Sequence, residues 1–160
     1  MLKRHIEVNS KHQQMLCYEN DLLSYTYSIS TGKNGLGEQQ GSECTPRGLH
    51  QIHSIIGAEH AINSVFVARV WTGELYSPEL AQNFPERDWI LTRILRLEGL
   101  ENGRNQGGDV DTLERYIYIH GTPHTTVLGV PGSHGCVRMS NQDIVALADW
   151  VDVGTHVFIK

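Results

Sequence analysis

A mainly β fold of β-sandwich type, with one α-helix in the C-terminal region, is predicted by three features of the sequence. Short runs rich in Val, Ile and Tyr recur along the chain with turn residues between them. Residues 23–30 alternate apolar and polar, the period of a strand with one buried face. Helical period is clear in a single segment, after Ser140. A doubly wound α/β sheet would need helices between its strands, and they are missing.

The chain has 160 residues, 39% of them hydrophobic. That is the size of a single domain, spanning 1–160, and such a chain buries roughly 70% of its unfolded surface on folding. Charged residues make up 19% and form no block, which argues against intrinsic disorder. Thirteen Lys and Arg stand against eighteen Asp and Glu, a net charge of −5, and there is no basic stripe of the kind that binds nucleic acid. The three cysteines, Cys17, Cys44 and Cys136, have neither CxxC spacing nor an even count, so neither a disulfide framework nor a zinc ribbon is expected. The N-terminal residues carry charge without the apolar run of a secretory signal, and no segment approaches the ~20 apolar residues of a membrane span. The expectation is a cytoplasmic protein, or a periplasmic one if the start is truncated.

In chain order, Ile6–Val8 and Met15–Tyr18 are short apolar pieces that can pair with the next strand as a meander. Leu23, Tyr25, Tyr27 and Ile29 alternate with Ser24, Thr26, Ser28 and Ser30. Four glycines between Gly32 and Gly41 mark a loop. Thr45-Pro46-Arg47-Gly48 is a turn, followed by a strand over Leu49–Ile56 and another over Ala61–Trp71. Ser77-Pro78-Glu79-Leu80 suits a single helical turn with Pro at its first position. Trp89–Leu97 fits either a strand buried on both faces or a helix. Tyr116–Ile119 is a strand leading into His120. Ser140 caps a helix with Asp143 as its box partner, and Ile144, Leu147, Ala148 and Val151 form its apolar stripe. Gly154 ends it, and His156–Ile159 closes the chain as a strand.

The chemistry concentrates in His120–Met139, HGTPHTTVLGVPGSHGCVRM. A thiolate is the reactive form of cysteine, and its pKa falls beside a helix N-terminus, an Arg or a His⁺. The helix near Ser140, Arg138, and His120 or His134 are candidates for all three around Cys136. Gly135 allows backbone N–H groups around Cys136 to turn toward a substrate oxygen as an oxyanion hole. A nucleophilic cysteine needs a base within reach. His134 is two residues away, in strained geometry for proton transfer. His120 is brought near if strand, loop and strand fold back, and is the favoured base.

The Ser-His-Gly-Cys-Val-Arg stretch at 133–138, with His120-Gly121 before it, closely resembles the signature of the L,D-transpeptidase catalytic (YkuD) domain. Thr45-Pro46-Arg47-Gly48 resembles that family's Thr-Pro-x-Gly element, and Ser28–Gly32 its Ser-Thr-Gly strand end. The likeness runs from about residue 25 to 158. Two departures stand out: twelve residues separate His120 from Ser133, a short gap for the family, and position 138 is Arg where Asn is common. The resemblance implies a YkuD-like fold and these roles. Cys136 attacks the carbonyl of meso-diaminopimelate at its bond to a terminal D-amino acid. His120 takes the thiol proton and the Gly121 carbonyl orients it. Ser133 and His134 position the loop, the N–H groups of Gly135 and Cys136 receive the oxyanion, and Arg138 meets a peptide carboxylate. No cofactor is implied. The partners are peptidoglycan stem peptides or muropeptides, with carbapenem-type β-lactams as covalent inhibitors.

A cytosolic location makes water the expected acceptor, so the expected reaction is L,D-carboxypeptidation of muropeptides in peptidoglycan recycling. The alternatives are an L,D-transpeptidase that cross-links or exchanges D-amino acids, and a non-catalytic stem-peptide-binding domain. Cys17 reads as a buried hydrophobe and Cys44 as a loop residue. His50, His53, His120, His124 and His134 do not make a metal site on this pattern: His50 and His53 would leave a strand on opposite sides, and no HExxH is present.

Overall fold

The computed structural model describes residues 3–160. An antiparallel meander of β1 (Arg4–Asn9), β2 (Gln14–Glu19) and β3 (Leu22–Ser28) opens the chain. Then follow β4 (Gly48–Ile56), β5 (Ser64–Val67), β6 (Val70–Leu75), the short helix α1 (Pro78–Asn83) and β7 (Ile90–Gly99). The last elements are β8 (Tyr118–Thr122), β9 (Val137–Ser140), α2 (Asn141–Trp150) and β10 (His156–Ile159). The architecture is mainly β, with one main helix.

All ten strands among the described residues belong to one hydrogen-bonded, curled sheet. Its main path runs β3-β2-β1-β10-β4-β7-β5-β6, and β8 branches from β7 to carry β9. The chain end therefore sits between β1 and β4, parallel to the first and antiparallel to the second. Ile6, Val8, Met15, Cys17, Ile52, Leu95, Leu97, Ile119, Val137 and Val157 fill the core, and Ile144 and Leu147 of α2 join them. Each such side chain contributes on the order of 1.5–3 kcal/mol when fully buried. Burying its stripe in this cluster is what holds a helix as short as α2, since isolated helices of that length are marginal.

The sheet resolves the ambiguous segment and corrects three expectations. Trp89–Leu97 is strand: β7 pairs with β4, β5 and β8, so Leu91, Ile94, Leu95 and Leu97 are all buried. Ala61–Trp71 is not one strand but β5 and the start of β6. Between them Ala68 and Arg69 both have left-handed backbones, φ 49° and 66°, as in a type I′ hairpin turn. No Gly or Asn marks that turn, so the pattern reads straight through it. Tyr116, with φ 57°, is still in the turn before β8. The alternation in β3 does not bury one whole face: Leu23 is 56% and Tyr25 48% exposed. This strand is the sheet edge, and Ser24 has no partner where the register shifts between Cys17 and Tyr18. The other helix caps match expectation, with the Ser77 and Ser140 hydroxyls accepting from the N–H groups of Leu80 and Asp143, each at 3.1 Å.

Candidate functional site around Cys136

Two parallel strands and three loops assemble the site. In the β8–β9 pair, Ile119 stands opposite Val137 and His120 opposite Arg138. The residues between them, 123–136, turn back so that Cys136 lies beside the start of β8. Its Sγ accepts the Tyr118 N–H at 3.2 Å and lies 3.6 Å from the Tyr116 carbonyl. The thiol faces a cleft of about 500 Å³ whose walls include Arg69, Asp88, Arg115, Tyr116 and His134.

The loop that carries the thiol is tied from within and from behind. The Ser133 hydroxyl donates to the Cys136 carbonyl at 2.5 Å and accepts the Gly135 N–H at 3.1 Å. Thr45 Oγ1 accepts the Gly32 N–H and donates to the Gly135 carbonyl, both at 2.8 Å. The Thr-Pro-Arg-Gly and Ser-Thr-Gly segments are therefore not remote motifs: one hydroxyl staples both to the loop of Cys136. Gly135 has φ +126°, and a Cβ there would come within 3.1 Å of the Cys44 carbonyl, so no other residue fits without displacement. Gly121 is equally enclosed, with the Leu91 carbonyl 2.6 Å from where its Cβ would be.

His120 is buried, and its Nδ1 lies 2.6 Å from the Gly121 carbonyl. A carbonyl only accepts, so Nδ1 carries the proton and Nε2 is the ring's acceptor. Burial pushes the pKa of His120 down, against the Gly121 bond and the Asp88 carboxylate, which raise it. Burial pushes the Cys136 thiol up to about 12, against the Tyr118 N–H, Arg138 and Arg115. Both effects favour the neutral forms, thiol and imidazole.

Several sequence expectations change here. Cys136 does not sit at a helix N-terminus, because the four residues of β9 separate it from α2. No helix N-terminus therefore opposes the upward push of burial on its thiol. The Gly135 N–H, expected as an oxyanion donor, is engaged by Ser133. Arg138 does not share the thiol's cleft. It lines a neighbouring cleft of about 380 Å³ with Asp88, Trp89 and Thr122. Cys136 lies in a bend before β9 begins, so strand alternation does not carry from 136 to 138. The Arg138 guanidinium binds Asp88 Oδ1 at 2.9 Å and the Gly132 carbonyl at 3.1 Å. His134 is mostly exposed, its Nδ1 3.4 Å from Asp88 Oδ2. Ser133 bridges the Cys136 carbonyl and the Gly135 N–H.

Asp88 is the residue that sequence reasoning missed. It precedes β7 in a Pro-Glu-Arg-Asp run with no motif, and no spacing links it to residues 134 and 138. Although burial raises its pKa, His120, Arg138 and His134 hold it below the usual carboxylate range. Among the described residues no three His, Cys, Asp or Glu side chains converge as metal ligands. His50 is buried and His53 exposed, on opposite sides of β4. No helix among the described residues is long and apolar enough to cross a membrane.

Residues 3–159 match the family model of the L,D-transpeptidase catalytic domain, YkuD. Over 62 residues the chain is 37% identical to YkuD of Bacillus subtilis, covering 36% of this chain and 38% of that protein. A solved L,D-transpeptidase from Mycobacterium smegmatis has a TM-score of 0.60 and 18% identity, covering 99% of this chain and 59% of that one. L,D-transpeptidase 3 from Mycobacterium tuberculosis, in complex with a faropenem-derived adduct, has a TM-score of 0.60 and 15% identity, covering 99% and 60%. The chain thus covers less than two thirds of each of these relatives. At such identities the superpositions speak for the fold, while the model match spans nearly the whole chain: it belongs to the L,D-transpeptidase catalytic domain family, a family of enzymes.

Proposed function

We propose that the chain is a cysteine acyl-transfer enzyme acting on peptidoglycan stem peptides at the bond between meso-diaminopimelate and D-Ala. The observation that carries this reading is a cleft-facing Cys136 thiol just before β9, with a buried His120 on the paired strand β8 whose Nδ1 proton is fixed on the Gly121 carbonyl. Cys136 Sγ bonds to the diaminopimelate carbonyl carbon while His120 Nε2 takes the thiol proton. The C–N bond then breaks, D-Ala leaves with that proton on its amine, and a thioester remains. Water, giving its proton to His120, releases the shortened peptide and restores the thiol. Water is the acceptor in this reading and soluble muropeptides in the cytoplasm are the substrate. An amine in place of water would make the same thioester a cross-link.

Arg138 is proposed to meet a carboxylate of the substrate, which it does by sharing its guanidinium with Asp88. The Cys136 N–H is proposed as the oxyanion donor. The faropenem-derived adduct on the solved relative supports acylation of Cys136 by carbapenems and penems as the matching inhibition.

Mass spectrometry of tetrapeptide muropeptides incubated with the protein is the test. Loss of D-Ala alone supports hydrolysis. Cross-linked dimers, or exchange with added D-Met, would replace water by an amine as acceptor. A protein that binds the peptide, leaves it unchanged and gains no mass from a carbapenem is a binding domain, and the proposal fails.

A further inference from the structure

We propose that Asp88 is a positioning residue of this site: its carboxylate fixes Arg138 and His134 on one wall and supplies the counter-charge for His120 when that ring becomes an imidazolium. The inference rests on the proposed acyl transfer. Asp88 stands at the junction of the two clefts, one holding Cys136 and the other Arg138, and lines both. Its two oxygens are divided between the two sides, Oδ1 to Arg138 at 2.9 Å and Oδ2 toward His134 at 3.4 Å. Arg138 in turn stands opposite His120 across β8 and β9. Asp88 is thus tied through Arg138 to the strand position opposite His120, and its carboxylate acts on that ring through space.

That placement has a consequence at each step. At rest the site holds the Arg138–Asp88 ion pair, the Arg69 and Arg115 cations on the walls of the thiol's cleft, and a neutral thiol and imidazole. Proton transfer makes an imidazolium and a thiolate; attack then moves the thiolate's charge onto the substrate carbonyl oxygen, away from sulfur, while the imidazolium remains until it protonates the leaving amine. A fixed anion stabilises that imidazolium and needs no reorganisation to do so. It also disfavours the resting thiolate, consistent with its upward influence on Cys136. The other charged groups facing the clefts are already engaged. Arg87 is paired with Glu74, Arg69 donates to the Tyr118 hydroxyl and Arg115 donates to the Cys44 carbonyl. His134 also faces Asp88, at 3.4 Å, and is mostly exposed.

The test uses the full chain and two readouts. In the first, Cys136 alkylation by iodoacetamide is followed against pH by peptide mass mapping, which needs no substrate. Asp88→Asn should lower the midpoint by about one pH unit, the ordinary effect of removing a neighbouring charge, and Asp88→Glu should stay with the wild type. In the second, the bell-shaped pH profile of kcat/KM on a tetrapeptide should shift to lower pH in Asp88→Asn. Its peak should fall by about tenfold, within the range for impaired acid–base catalysis. Asp88→Ser serves if Asp88→Asn folds poorly by circular dichroism. An unmoved alkylation midpoint, or a bell that loses height without moving, would overturn the role of Asp88. A midpoint that moves in a protein whose wild type turns over no stem peptide keeps the role of Asp88 and ends the proposed reaction instead.

Discussion

The scaffold and the site each hold a cysteine and a histidine whose proton affinities shift in the same directions, yet their surroundings differ. In the scaffold, Cys17 lies within β2 with no exposed surface, and burial lifts its thiol to about 12. His50 in β4 is also fully buried, and burial lowers its pKa to about 4. At the site, Cys136 is lifted to about 12 and His120 is lowered. What separates them is what each group still has to offer. Cys17 touches only the apolar core. His50 uses both nitrogens, Nδ1 on the Gly48 carbonyl and Nε2 on the Thr112 hydroxyl, each at 3.0 Å. Cys136 opens on a cleft, and His120 keeps Nε2 as an acceptor. A depressed thiol pKa is thus not the mark of this nucleophile; access and an oriented acceptor are. The largest expected effect follows directly: Cys136→Ala abolishes turnover, by at least about a thousandfold for loss of a nucleophile, with circular dichroism unchanged. Retained activity would end the cysteine mechanism.

The motif at 133–138 and the meander of strands were legible because their signals are local: residue type, period two, and a capped amphipathic helix. The Thr45 staple was legible as a motif but not as a bond, since it joins residues 32, 45 and 135 only in three dimensions. Asp88 left no trace because its role depends on where β7 begins relative to β9. The turn at Ala68-Arg69 was hidden because tertiary packing imposes its left-handed backbone on residues that do not advertise it. The apparent proximity of Cys136 to a helix N-terminus was an error of distance along the chain. Four strand residues lie between them, and strand pairing does not show in spacing.

The scaffold histidine offers a test against the site histidine. Folding lowers the proton affinity of His50, so added protons favour the unfolded chain. Its contribution is complete above pH 6.5, the ordinary imidazole value, and is lost as pH falls toward about 4. A shift of this size corresponds to about 3 kcal/mol. Urea midpoints taken from pH 7 to pH 4 should fall, and His50→Gln should flatten that slope. An equal slope in both proteins would place the acid sensitivity elsewhere.

Cys17→Ser probes the sealed thiol. The replacement puts a hydroxyl where the surroundings are apolar, and a buried unpaired polar group costs about 1–3 kcal/mol. Thermal unfolding should register that loss, while kcat/KM on a tetrapeptide stays at the wild-type value. Reduced turnover at normal stability would show that the core of the sheet communicates with the cleft.

The smallest effect belongs to Cys44, the cysteine that lies between the two regions. What the fold takes from it is backbone: its carbonyl accepts Arg115 Nη2 at 2.8 Å and crowds the space where a Cβ on Gly135 would stand. Its thiol reaches only the Asn34 and Ser42 carbonyls, at 3.5 and 3.7 Å, long contacts from a weak donor. A serine hydroxyl can occupy the same place without disturbing either role of the backbone. Cys44→Ser should therefore leave stability within about 0.5 kcal/mol, as for an ordinary partly exposed position. Turnover and carbapenem acylation at Cys136 should also be unchanged under reducing conditions. A fall in turnover with unchanged melting would mean that the Cys44 thiol takes part in the chemistry, and that one oriented acceptor does not account for the difference between the two regions.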